Sequence, residues 1–261
     1  MRYGLLMVSW LSLTGAAWGQ VEVPVTARPQ EMVFSQAEVE LADAKRFAAL
    51  TSNLRQYGEL DTDSVARIRV QAIVQRLAAA ACALVPEQAG VAWEVHTTAN
   101  PDVDGISMAG GKLLVGLPFI HGMHLTDSEL AMVLAHEMAH VLGHHHNEAL
   151  SSAFILAFRN LPKKPVPFVG LAISAVQENR GLLFGMAPLA RMQEFEADAL
   201  GLLLASRAGY PIAELVGFYA KLASQDDTDG ASETVSHPSG VARLHYANAV
   251  RQLIDAGMFG P

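Results

Sequence analysis

Residues 136–140 read His136-Glu137-Met138-Ala139-His140. In an α-helix the two histidines stand one turn apart on one face, so both imidazoles can reach a single metal ion. Glu137 follows the first histidine and can approach, from the side, a water activated there. Two neutral nitrogen donors beside a carboxylate base meet the requirement of a zinc hydrolase. Five residues also match by chance, so the surroundings decide.

The helix that carries them is well marked. Thr126-Asp-Ser-Glu129 is a capping box, in which the Thr126 hydroxyl and the Glu129 carboxylate satisfy free amides at the helix start. Leu130, Met132, Val133, Leu134, Met138, Val141 and Leu142 make the helix apolar on most sides, which predicts a central, buried element. Two histidines and a glutamate are costly to bury there unless something pairs with them. Upstream, helices are predicted over 36–56 and 62–84. The second carries Val65, Ile68, Val70, Ile73, Val74 and Leu77 at helical spacing. Val91 to Thr98 alternates like a strand. Gly105 to Met108 and Lys112 to Leu117 flank Gly110-Gly111 as a hairpin. Downstream, helices are predicted over Pro188–Ser206, from Ile212 to Leu222, and from Pro238 or Ser239 to Ala256, with a polar acidic loop over Ser224–Val235. The fold class expected is α+β, mainly helical, with a small antiparallel sheet beside the His-Glu-x-x-His helix.

The chain has 261 residues, 51% hydrophobic, which suffices for one sizeable core over residues 35–261. A formal net charge of −8 gives a nucleic-acid partner no electrostatic support. Cys82 is the single cysteine, so no intrachain disulfide forms, and its apolar setting predicts a buried thiol. Residues 1–19 read as a signal peptide: Arg2, an apolar run from Leu5 to Leu13, and Ala17-Trp18-Gly19 ahead of Gln20. No cysteine follows that site, which argues against a lipoprotein anchor. Residues 20–34 read as an extended lead-in. The mature chain is expected to be exported, and periplasmic in a Gram-negative source. Residues 153–190 are the least legible; they read as a core helix with irregular cover, or alternatively as a lid or membrane-surface element.

A hydrolytic zinc usually has three protein ligands, and two candidates complete the set. His146 falls where the metzincin pattern H-E-x-x-H-x-x-G-x-x-H places its third histidine, after Gly143. That architecture also needs a Met-turn, and none of Met186, Met192 or Met258 has a convincing turn context. Alternatively, Glu194 and Asp198 stand at i and i+4 on one helical face. There Glu194 can bind metal and Asp198 can accept the free N–H of a liganding histidine. Glu196 points away from that face and is assigned to solvent or structure.

The stretches Leu134-Ala-His-Glu-Met-Ala-His-Val-Leu142, Glu194-Phe-Glu-Ala-Asp-Ala-Leu-Gly201, Ala208-Gly-Tyr-Pro211 and Ser236-His-Pro-Ser239 with Arg243 together resemble the CAAX-prenyl-protease/HtpX-like family of gluzincin zinc metalloendopeptidases. The layout is nearest its soluble periplasmic members of the BepA/LoiP type, over roughly residues 35–255. The resemblance implies a zincin-like catalytic domain. It also implies one Zn2+ per chain on His136, His140 and Glu194, Glu137 as general base, and Asp198 in support. His144, His145 and His146 then become the helix end, as cations that favour its dipole. His237 becomes an oxyanion or switch residue, or a fourth ligand in a resting state. Arg243 becomes an ion-pair partner or a substrate contact. The substrates implied are unfolded or misassembled envelope proteins, bound along Lys112–Leu117 as an edge strand. A zinc-holding, chaperone-like binder with latent proteolysis and an amidase acting on cell-wall peptides stay open as alternatives.

Overall fold

The computed structural model describes residues 28–163, 165–229 and 237–259. The signal-peptide reading of 1–19, most of the lead-in, and Ser236 lie outside the described residues.

α1 (Gln36–Gln56) starts at a capping box of Ser35 and Glu38, and α2 (Ser64–Leu84) at Asp63, whose carboxylate accepts from the Val65 and Ala66 amides. Along α2 the inward stripe is Ala66, Val70, Ile73, Val74, Leu77 and Ala81. Val65 and Ile68, expected on that stripe, fall beside it and are exposed. Cys82 is exposed as well, contrary to the buried thiol expected. Ala81 takes the inward position, and the next residue lies a step of about 100° around the helix.

β1 (Glu94–Thr98), β2 (Gly105–Met108) and β3 (Lys112–Gly116) form a sheet of order β1-β3-β2. β2 and β3 pair antiparallel around Gly110-Gly111 as the hairpin predicts, but β1 pairs parallel with β3. The sheet is therefore mixed, where an antiparallel one was expected. The turn after β1 passes the end of β3, where the Gly116 amide donates to the Asp104 carbonyl at 2.9 Å, and so delivers β2 to the far side. β3 is consequently interior. The edge-strand assignment of Lys112–Leu117 is corrected to β2.

After the short α3 (Leu117–Gly122) comes α4 (Asp127–Leu142). Its capping box forms as the sequence predicts: the Thr126 amide donates to Glu129 at 2.8 Å and the Glu129 amide to the Thr126 hydroxyl at 3.3 Å. From Ser128 to Leu142 every residue is buried except Glu137 and His140. α2, α7, α8 and β2 pack around it. α5 (His145–Phe158) and α6 (Val169–Glu178) pair with each other, and Phe154, Val169 and Ala172 join Phe34 and Val39 in a second apolar cluster. Residues 153–190 are thus largely helical.

α7 (Arg180–Arg207) begins eight residues earlier than expected and runs through Pro188. Proline forfeits a helical hydrogen bond and crowds the carbonyl four residues back. Packing against α4, α5 and α6 carries the helix across that defect. α8 (Ile212–Asp229) also continues past its expected end, into the stretch read as an acidic loop. Asp226 explains part of this: its carboxylate accepts the Val241 amide at 2.9 Å and so satisfies the first turn of α9 (Gly240–Asp255).

Candidate active site

α7 crosses α4 at Gly201. A Cβ there would fall 2.9 Å from the His136 amide nitrogen, so glycine permits the close approach. Asp198 and Glu194 lie one and two turns earlier on the same face and are thereby aimed at the His136–His140 face of α4. His136 Nε2 stands 3.1 Å from His140 Nε2, and each is 3.5 Å from an oxygen of Glu194. Ligands about 2.0–2.1 Å from a tetrahedral ion are about 3.4 Å apart. The donor set therefore fits one metal ion, and two imidazoles with a carboxylate suit a borderline-soft divalent cation.

His146, the alternative third ligand, takes a different position. Gly143 ends α4, His144 adopts a left-handed conformation (φ 54°), and His146 enters the first turn of α5. Its ring centre is 6.4 Å from that of His140, and its buried Nε2 has no hydrogen-bond partner among the described residues. Among the described residues, the converging group is His136, His140 and Glu194. Met186 and Met192 lie within α7, not in a turn. The neighbouring histidines are not the cations expected: burial pushes the His145 imidazole down to about 4 and that of His146 to about 3.

Behind the converging donors lies a charged layer. Asp198 Oδ1 is 2.9 Å from His136 Nδ1 and accepts the Tyr219 hydroxyl at 2.8 Å. Arg243 donates to both Asp198 oxygens, at 2.6 and 2.9 Å, and its Nη1 is 3.6 Å from Glu194. Arg243 thus forms the ion pair that is one of the two readings for it, and it also lines the cleft in front of the donors. Burial alone would raise the Asp198 carboxyl; Arg243 and His136 reverse this and hold it below the usual carboxylate range. The Glu194 carboxyl is likewise raised by burial and more than offset by hydrogen bonds from His136, His140 and His237. Tyr219 is fully buried on α8, and nothing in its local sequence marks it.

The donors open into a cleft of about 470 Å³. Gly105, Ile106 and Ser107 of edge strand β2 form one wall, and Phe119, Phe218 and Leu222 supply an apolar one. Glu137 faces this cleft against β2: a Cβ on Gly105 would meet its Oε1 at 2.9 Å. His237 sits at the rim, half-exposed, with Nδ1 3.2 Å from Glu194 Oε2. That hydrogen bond raises the His237 pKa.

Two histidines one turn apart, a carboxylate after the first, and a glutamate from a second helix define the donor arrangement of a gluzincin-type metallopeptidase. The chain belongs to peptidase family M48, whose model matches residues 65–251. It is 31% identical to Metalloprotease YcaL of Escherichia coli (strain K12), over 86% of this chain and 85% of that protein. It is 30% identical to the mitochondrial metalloendopeptidase OMA1 of Saccharomyces cerevisiae, over 66% of this chain and 52% of the relative. With the Arabidopsis thaliana OMA1 it shares 27%, over 63% and 33%. The chain thus spans between a third and about half the length of these OMA1 relatives.

Proposed function

We propose that the protein is a zinc metalloendopeptidase acting on unfolded or misassembled exported proteins in the periplasm. The observation that carries this is the convergence of His136, His140 and Glu194 on the same cleft wall as Glu137. A bound zinc ion supplies a Lewis acid that polarises the scissile carbonyl and brings the pKa of water toward about 7. Glu137 takes the proton of the attacking water and returns it to the leaving amine. Asp198 accepts the Nδ1–H of His136 and so presents its Nε2 lone pair to the metal. An extended substrate adds to the open edge of β2, where main-chain pairing at Gly105–Ser107 binds with little regard for sequence. Export is inferred from the leader-like residues 1–19.

Casein turnover by the full chain tests the reading. Chelation should abolish it, and one equivalent of zinc per chain should restore it; turnover indifferent to chelation would exclude a metallopeptidase. A second reading, a latent zinc-holding binder, is favoured by His237, which stands on Glu194 at the mouth of the cleft. His237→Ala should change turnover in either direction while zinc is retained. Unchanged turnover would refute a switch or oxyanion role.

Residues 153–190 also support contact with a membrane surface. Val166, Phe168 and Phe184 are exposed by 84%, 64% and 68%, and Arg159 and Lys163 are exposed in the same stretch. No helix among the described residues is long and apolar enough to cross a membrane. The full chain should co-sediment with vesicles containing anionic lipid, and Phe168→Ser with Phe184→Ser should weaken this. Equal sedimentation of the double variant would dismiss the contact.

A further inference from the structure

Only one of the two liganding histidines has a carboxylate directly behind it. The ring of His140 faces another imidazole: its Nδ1 is 2.9 Å from Nδ1 of His145, the first residue of α5. The far nitrogen of that second ring, His145 Nε2, is 3.2 Å from Glu196 Oε2. Glu196 in turn accepts from Arg28, at 2.7 Å from Nε and 2.9 Å from Nη2. Arg28 precedes α1 in the chain and lies 168 residues from Glu196.

We propose that Arg28, Glu196 and His145 form a positioning chain that fixes the ring and tautomer of the metal ligand His140, anchored by the segment ahead of the first helix. The inference rests on the metal-site reading above and extends it to residues that touch neither metal nor substrate.

The direction of the hydrogen bonds follows from what each group can do. An ionised carboxylate only accepts, so Glu196 accepts a hydrogen bond from the N–H at His145 Nε2, and the proton stays on that nitrogen. The His145 Nδ1 lone pair is then left to accept, and its partner must be Nδ1–H of His140. His140 is thereby held with its Nε2 lone pair free, facing His136 Nε2 and Glu194. The result matches what Asp198 does directly for His136, with one imidazole interposed. Partners of this kind orient a ligand and raise its basicity.

Two further features are built around the same ring. A Cβ at Gly143 would fall 2.7 Å from His145 Nε2, so glycine there makes room for the ring. This accounts for Gly143 without the sharp turn that the metzincin pattern would ask of it; its φ is an ordinary −83°. The lead-in is also fastened to this layer by more than Arg28. Gln30 donates to the Gly143 carbonyl at 2.8 Å, and the Val33 amide to the Ser151 hydroxyl at 3.0 Å. Arg28 further donates to Glu148 at 2.8 Å, and Gln193 reaches the same carboxylate at 2.8 Å. The segment thus straps the exit of α4 to the starts of α5 and of the ligand-bearing part of α7.

The test is the zinc affinity of the full chain, read by competition with a chromogenic chelator. His145→Phe keeps a ring and removes the acceptor, and should raise the zinc Kd by about 10–100-fold. Glu196→Gln and Arg28→Ala should shift it the same way by smaller factors, and they carry the test should His145→Phe fail to fold. His145→Asn places a carbonyl oxygen near the former Nδ1 and should recover part of the loss. In the cobalt-substituted protein the visible bands should move in His145→Phe and return toward wild type in His145→Asn; loosening of the fold alone predicts no such rescue. Variants with wild-type circular dichroism that hold zinc as tightly as the wild type would overturn the chain while leaving the metal site intact. A wild type that binds no zinc would overturn the metal-site reading, and this inference with it.

Discussion

Glu137→Gln should retain one zinc per chain and lose peptide turnover by about 10²–10⁴-fold, the range a general base contributes. The substitution is nearly isosteric, which matters here because the Glu137 side chain lies against the Gly105 backbone. A larger or smaller residue would disturb β2 as well as the chemistry. Glutamine keeps the contact and cannot take a proton. Glu137 is not among the three converging donors, so metal content should be unaffected. The measurement is turnover of a casein-type substrate by wild type and variant, with zinc quantified on the same samples. Equal and substantial turnover in both would remove Glu137 from the mechanism. Equal and negligible turnover, with full zinc in both, would favour the latent binder.

The parts of this fold that could be read from sequence are those whose cause is local. The capping box at Thr126 and the apolar run after it specify α4 within a few turns, and both form as expected. The i, i+4 pair of Glu194 and Asp198 places two acids on one face whatever lies opposite. Strand order is a different matter. The Gly110-Gly111 turn marks Lys112–Gly116 as a hairpin strand but carries nothing about its other neighbour, and β3 is interior because β1 pairs on its other side. Pro188 and the residues after Leu222 misled for a related reason: tertiary packing and the bond from Val241 to Asp226 extend helices that local signals end.

The layer behind the metal donors was the least legible. Asp198 was expected to support a liganding histidine, and the structure gives it His136, Tyr219 and Arg243 as partners. Glu196 lies off the Glu194–Asp198 face, a position that by itself points to solvent or a structural role. That geometry is right, and it is also what carries Glu196 to Arg28 and His145 instead. Such partners lie far apart in sequence, and no spacing rule connects them. Burying so much charge is costly unless every group is paired. Asp198 meets this condition through bonds from three sides.

Replacing Glu194 should cost far more metal affinity than replacing His146, and the pair of variants decides between the two ligand sets. Glu194→Ala removes a carboxylate whose two oxygens stand 3.5 Å from the imidazole nitrogens, Oε2 from His136 and Oε1 from His140. It also leaves Arg243 and His237 facing the site without the carboxylate they approach. A direct donor is then gone while the Arg243 guanidinium still adjoins the place where a cation must bind, so the loss should exceed the about 10–100-fold typical of an outer partner. His146→Ala removes a ring whose Nε2 is buried and without a hydrogen bond among the described residues. Truncating it opens a cavity, which destabilises, but it also removes an unsatisfied polar atom, which relieves about 1–3 kcal/mol. The fold should therefore survive with zinc in place. The decisive measurement is zinc per chain after dialysis, beside the thermal midpoint of each variant. A His146→Ala protein that loses zinc, with a Glu194→Ala protein that keeps it, would return the site to the metzincin arrangement. The opposite outcome fixes the third ligand on α7, where the Gly201 crossing holds it against α4.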